Sequence, residues 1–419
     1  MHAIEKILAK NSGLSSVRTG EIVTAKVDFA EINDLYLQTV YSFREMGGEK
    51  VWDNTRAAFV FDHYAPAPDI KSASNQGEMR AFAKDNNLKY HFDTNAGVCH
   101  QVMAEAGLIY PGMIVIATDS HTTTHGAFGA LGTGVGATDM ATILMTGELW
   151  FRVPEIIEVR LEGEAPAGVF PKDVVLEVLG RLKADGAVYK AIDFTGSYVE
   201  SLNIAGRMVI CNMAVEMGAK TAYMQPNAEV LDFASKYAVR PFEVQYTDSD
   251  FSYAESHVFD VSKLTPRISC PHSVDNVRPL TDVLAEGEIP VDQAYIGSCT
   301  GGREEDIAIA AKILRGKHIP EYKRLIIVPA SSKVMLACME KGYIQDLMLA
   351  GATVTTPGCG ACLGAHEGVL SENETCISST NRNFPGRMGS VKANIYLASP
   401  ATVAASILNG RVTDPRDCL

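Results

Sequence analysis

The chain has 419 residues, 47% hydrophobic and 21% charged, room for the buried cores of about two to three soluble domains. A formal net charge of −13 disfavours general nucleic-acid binding, which needs basic surface, but leaves scope for a small anion held by a few local arginines. Charges interrupt the N-terminal apolar run, no apolar run is long enough to cross a bilayer, and nine scattered cysteines make a poor disulfide framework, so a cytoplasmic protein with no membrane or nucleic-acid partner is expected.

Taken in chain order, short apolar runs alternate with helix-like stretches. The expected strands are Arg56–Phe61, Met113–Thr118, Gln293–Ile296, Leu325–Pro329 and Ala352–Thr355. The expected helices are Gln76–Asn86, Lys172–Ala184, Ile204–Ala219, Arg303–Arg315, Ser332–Met348 and Pro400–Leu408. Such alternation predicts an α/β protein with largely parallel sheets. Val153-Pro154 and the acidic and proline-containing stretch after Thr247 suggest divisions, giving expected units 1–154, 155–275 and 276–419.

Several apolar runs stop on chemically active residues. RAAFVF ends on Asp62-His63, MIVIAT on Asp119-Ser120-His121, QAYIG on Ser298-Cys299-Thr300, ATVTTPG on Cys359, and TCISST on Asn381-Arg382. Ligands of open α/β sheets bind beyond the carboxyl ends of the strands, so these ends are expected to form one site. The plainer account is that loops after strands are polar anyway.

Cys359 and Cys362 form a C-x-x-C in a glycine-rich loop, and Cys299 lies in a second one, GSCTGGR. Three thiolates suit an iron–sulfur cluster with one iron left free, although half a zinc site or a redox pair has the same spacing. Arg382 and Arg387 offer two guanidinium forks for carboxylates or phosphates. His121 and His125 are spaced like zinc-protease ligands but lack the following glutamate. Gly132, Gly134 and Gly136 have the wrong spacing for a dinucleotide loop and fit a tight turn or close backbone packing. Asn212 and Glu216, four apart on an expected helix, share a face that could reach a cleft, with Glu216 beside a histidine.

Together, HTTTHG after Asp119-Ser120, IGSCTGGR, PGCGACLG and STNRNFPGR resemble the aconitase superfamily along essentially the whole chain, in the form of a stand-alone large subunit. The resemblance implies three α/β/α domains around a central 4Fe–4S cluster, with the swivelling fourth domain absent. Cys299, Cys359 and Cys362 match the cluster ligands, leaving one iron for substrate. Asp62, His63, His100, Asp119, His121 and Glu216 match catalytic positions, and Ser120, Asn212, Asn381, Arg382 and Arg387 match substrate-binding ones. The implied activity is a hydro-lyase that isomerises a 2-hydroxy di- or tricarboxylic acid by dehydration and rehydration. Dehydration of 3-isopropylmalate in leucine biosynthesis is expected first, with homoaconitase or 2,3-dimethylmalate-type activity next. A separate small subunit would carry the swivelling domain and its serine base. Thr124 and Val27 stand where citrate-acting members have an asparagine and a glutamine, which points away from citrate. A zinc-stapled protein without enzymatic activity is the remote alternative.

Overall fold

Strands covered on both faces must be apolar throughout rather than alternating. Ala57–Val60, Ile114–Ala117 and Gln293–Gly297 satisfy this, being buried at every residue. In the computed structural model, which describes Met1–Leu419, the first two runs lie in one sheet and the third in another, and a further sheet lies between them in the chain. The first is a five-stranded parallel sheet in the order Tyr90–Phe92, Ala57–Val60, Phe29–Asn33, Ile114–Ala117, Leu131–Gly134. An antiparallel ribbon of Ile22–Lys26 and Glu148–Arg152 accompanies it. The second has four parallel strands in the order Thr221–Tyr223, Ala191–Thr195, Ile156–Glu162, Glu255–Asp260.

The third sheet has seven strands, centred on Thr375–Ser378, Gln293–Gly297 and Arg324–Val328 in parallel. Arg267–Ser269 joins it antiparallel to Val277–Pro279 and to Asn394–Leu397. The third sheet therefore begins at Arg267, and a division at 275/276 would pass between two paired strands. One apolar core reaches all three sheets, through Phe29 and Val115, Ile192 and Phe194, and Val328 and Ile395.

Local chemistry explains where helices start and stop. Asp69 caps Ile70–Asp85 by accepting the Ser72 N–H at 2.7 Å, so this helix begins six residues before Gln76, the expected start. Ser332–Met348 is not one helix: Gly342, at φ +77°, divides Ser332–Glu340 from Tyr343–Leu349. Ile204–Ala219 is α-helical only to Asn212 and continues as a 3₁₀ turn over Met213–Met217. Asn212 and Glu216 therefore do not share an α-helical face, and each reaches its own partner.

The glycine-rich LGTG is itself a strand rather than a loop after one. A Cβ on Gly132 would lie 2.3 Å from the Thr122 carbonyl oxygen, and one on Gly134 would lie 2.3 Å from that of Asp119. These glycines let the 3₁₀ segment Ser120–Phe128 lie directly on the sheet, and that segment carries His121. Gly132→Ala should therefore cost about 1–3 kcal/mol by overpacking. Urea unfolding would measure it, and an unchanged midpoint would contradict the packing argument.

Candidate active site

The expected strand ends do converge. Asp62, His63, His100, Asp119, Ser120, His121, Cys299, Cys359, Cys362, Asn381, Arg382 and Arg387 all line one cavity of ≈ 170 Å³. Strands of the first sheet supply the carboxylate and histidine side, and strands of the third supply the sulfur and arginine side. Asn212 and Glu216 stand behind the wall and hold the residues that form it.

Asp119 organises the first side. It is the N-cap of the Ser120–Phe128 segment, and its Oδ1 accepts the His121 backbone N–H at 2.7 Å. The same oxygen is 3.0 Å from His100 Nε2, while Oδ2 is 3.5 Å from His63 Nε2. Burial works against its charge, but the hydrogen bonds with His100, His121 and His63 hold the carboxyl well below the usual carboxylate range.

His63 is gripped at its other nitrogen by Asp62, with Nδ1 2.6 Å from Oδ1. Burial alone would push the imidazole down, but Asp62, Cys359 and Asp119 outweigh it and raise His63 well above 6.5. Asp62 Oδ2 accepts the Cys99 N–H at 2.8 Å, which fixes its orientation. A second ionic chain runs outward. His121 Nε2 lies 2.6 Å from Glu216 Oε1, which accepts from Arg382 Nε at 2.8 Å, and Arg382 Nη2 donates to Ser120 Oγ at 3.0 Å. Burial opposes ionisation of Glu216, yet His121 and Arg382 lower its pKa.

On the sulfur side, Asn381 Nδ2 donates to Asn212 Oδ1 at 2.8 Å and lies 3.3 Å from Cys299 Sγ. Arg387 Nη2 lies 3.6 Å from Cys362 Sγ. Tyr295 Oη donates to the Cys359 carbonyl at 2.7 Å, and the Cys359 N–H donates to the Asp62 carbonyl at 2.8 Å, tying the cysteine loop to both sheets. Burial pushes the Cys299 and Cys359 thiols up. The only group set closely enough to chelate a single ion is Asp62, His63 and Cys359, whose ligand atoms lie within 4.8 Å of one another. The three cysteine sulfurs do not form such a set, whereas thiolates on one tetrahedral zinc would lie about 4 Å apart. Their wider spacing, with N–H donors aimed at two of the sulfurs, fits a larger polynuclear group.

Some expected roles move. His125 is buried against His100, ring centroids 5.4 Å apart, with neither nitrogen bonded, and does not converge with His121 on a metal position. Thr124 accepts from Asn212 Nδ2 at 2.8 Å and so supports the sulfur side from behind. Val27 packs in an apolar core and does not line the cavity.

Four residues escaped the motif reading. Asp34 accepts the His63 N–H at 3.0 Å, and its Asn33-Asp34 pair also ends a strand, a signal the sequence did contain. Glu31 is fully buried with neither oxygen bonded, and burial followed by Asp62 and Asp119 pushes its carboxyl well up. Lys172 and Arg303 are buried cations beside the sulfur loops.

A model of the aconitase family (aconitate hydratase) matches residues 36–410. Among curated relatives, a probable methanogen homoaconitase large subunit of Methanothermobacter thermautotrophicus is 46% identical over 99% of this chain and 98% of its own. A 3-isopropylmalate dehydratase large subunit of Methanopyrus kandleri is 46% identical over 99% of both chains. A second such subunit, from Pyrococcus furiosus, is 42% identical over 100% of this chain and 99% of its own. Among solved structures, holo aconitase X of Thermococcus kodakaraensis has the same fold, with a TM-score of 0.52 at 12% identity over 91% of this chain and 90% of that one.

Asp62→Asn should lower the His63 pKa, because Asp62 is the strongest of the groups raising it. A histidine NMR titration reads this directly, and an unmoved ring would remove Asp62 from that role. Since the folded pKa is raised, the pairing stabilises the fold fully below 6.5 and is lost as pH rises through the folded value.

Proposed function

The chain belongs to the aconitase family, and on that premise we propose that it is the large, catalytic subunit of a hydro-lyase that moves a hydroxyl by dehydration and rehydration. The leading substrate is 3-isopropylmalate, as for the relatives so named, and homoaconitate is the alternative that other relatives' names suggest. The observation that carries the reading is one cavity holding three thiols, two arginines and a histidine between two carboxylates.

Cys299, Cys359 and Cys362 would hold the 4Fe–4S cluster, with the fourth iron free of protein ligands. When bound, the cluster supplies a Lewis-acidic iron to the substrate's hydroxyl and carboxylate. The rest falls to the chain itself. Arg382 and Arg387 take substrate carboxylates through bidentate forks, with Ser120 and Asn381 beside them. His63, kept protonated by Asp62 and Asp119, delivers a proton to the departing oxygen and takes one back on rehydration. His100 and His121 hold Asp119 in place, and Glu216 orients His121 and Arg382 together. The carbon-bound proton would be taken by the serine of a small-subunit partner. Three α/β units and a cytoplasmic setting complete the proposal, and no helix is long and apolar enough to cross a membrane.

Two experiments test this. Protein purified without oxygen should contain about four irons and four sulfides per chain, with a broad visible absorption. Zinc instead would favour the Asp62–His63–Cys359 set and end the dehydratase reading, and serine at any of the three cysteines should strip the cluster. With the small subunit co-expressed, Arg382→Lys should lower kcat/KM by about 10- to 100-fold, the worth of a lost charge-assisted hydrogen bond. Unaltered kinetics on both candidate acids would remove Arg382 from substrate binding.

A further inference from the structure

Two buried cations beside the sulfur loops make no direct contact with a carboxylate. Lys172 is 2% exposed, and its ammonium donates to the Thr380 carbonyl at 2.7 Å, the Ser379 carbonyl at 3.2 Å and Thr300 Oγ1 at 3.4 Å, all neutral. Arg303 is 3% exposed. Its Nε donates to Gln101 Oε1 at 3.0 Å, and both Nη atoms have no partner. Neither side chain forms an ion pair. Asp306, three residues beyond Arg303, is the acid that acts most on that guanidinium, but it spends one oxygen on the Arg303 backbone N–H at 3.0 Å, and burial pushes its carboxyl up to about 6. A buried charge without a counter-charge is strongly unfavourable, so its retention calls for an anion nearby.

The placement says which anion. Thr300 follows Cys299 directly, Arg303 is four residues on, and Ser379-Thr380 lead into Asn381, which reaches Cys299 Sγ. Thr300 Oγ1 also donates to the Ser379 carbonyl at 2.9 Å, so Lys172 closes a three-way junction between the two loops. Lys172 comes from the helix Pro171–Leu182, which packs on the helix ending in Asn212, so it joins a third element to the junction. After burial, the strongest electrostatic influences on Lys172 are Cys299 and Cys362, and on Arg303 they are Asp306 and then Cys299. Three thiolates outweigh the positive charge of an oxidised 4Fe–4S core, so a loaded site is anionic.

We propose that Lys172 and Arg303 are positioning residues whose buried positive charge is matched by the cluster, holding the Cys299 and Asn381 loops together and raising the cluster's reduction potential. The inference rests on the cluster reading above. Reduction adds an electron to an already anionic site, and buried cations make that addition easier.

The test uses the full chain, reconstituted without oxygen, with Lys172→Gln, Arg303→Gln and Arg303→Lys compared with the unaltered protein. Glutamine keeps hydrogen-bonding capacity and bulk but not charge, and lysine at 303 keeps the charge. The readouts are iron and sulfide content, the midpoint potential by spectroelectrochemistry, and the rate of iron loss to a chelator. The expected result is a more negative midpoint and at least several-fold faster iron loss in both glutamine variants, with Arg303→Lys at the unaltered midpoint. A glutamine variant that folds but takes up no cluster, where Arg303→Lys fills normally, also supports the charge role. Equal midpoints in the glutamine variants, or a shift in Arg303→Lys as large as in Arg303→Gln, overturns it. The two sites lie on different elements, so misfolding of one glutamine variant leaves the other to decide. If the unaltered chain takes up no cluster, the dehydratase reading itself fails, an outcome distinct from these.

Discussion

The carboxylate of Asp119 is shared among His63, His100 and His121, and the first side of the cavity depends on that sharing. A single buried anion could not persist alone, because desolvation would neutralise it. Three imidazoles keep it charged, and it in turn fixes their orientations. Each outer histidine then engages a second acid, His63 with Asp62 and His121 with Glu216, so carboxylates and nitrogen groups alternate from Asp62 through the hub to Arg382. Such a network makes the arginine's position depend on a residue on another sheet's connection. Disturbing the hub would therefore reach groups well beyond its own contacts.

The sulfur side answers a different requirement. Thiols in an apolar setting resist ionisation, and Val98, Cys299 and Cys359 form a small apolar cluster of their own. What favours thiolates here is donors and cations at the periphery: Asn381, Arg387, and deeper in, Lys172 and Arg303. The two sides touch where the Cys359 N–H bonds the Asp62 carbonyl, so the carboxylate–histidine groups and the cysteine loop share a backbone link.

Backbone packing sets these distances. The first sheet can lie against the Ser120–Phe128 segment only because Gly132 and Gly134 carry no side chains. The third sheet brings Cys299 and Asn381 together because Gln293–Gly297 and Thr375–Ser378 are parallel neighbours in register, Tyr295 opposite Ser378. Parallel pairing puts both strands' carboxyl ends at one edge, which is why reactive residues after strands accumulate there.

The parallel α/β class, the five expected strands and the chemically active residues of the cavity were legible in the amino-acid order, since each depends on a short run and what directly follows it. Helix ends were less so. Gly342 and the change to 3₁₀ at Met213 are small local events that periodicity does not register. The nature of the centre, sulfur beside arginine, was likewise determined by sequence alone. Only the tertiary structure decided which groups meet: Glu216 with His121 across 95 residues and with Arg382 across 166, and Lys172 with Thr380 across 208. Such pairings follow from sheet order, register and the placement of one sheet against another, which no local pattern encodes. Nothing in the sequence marks Lys172 or Arg303 as buried, and only the folded chain places them beside the sulfur loops.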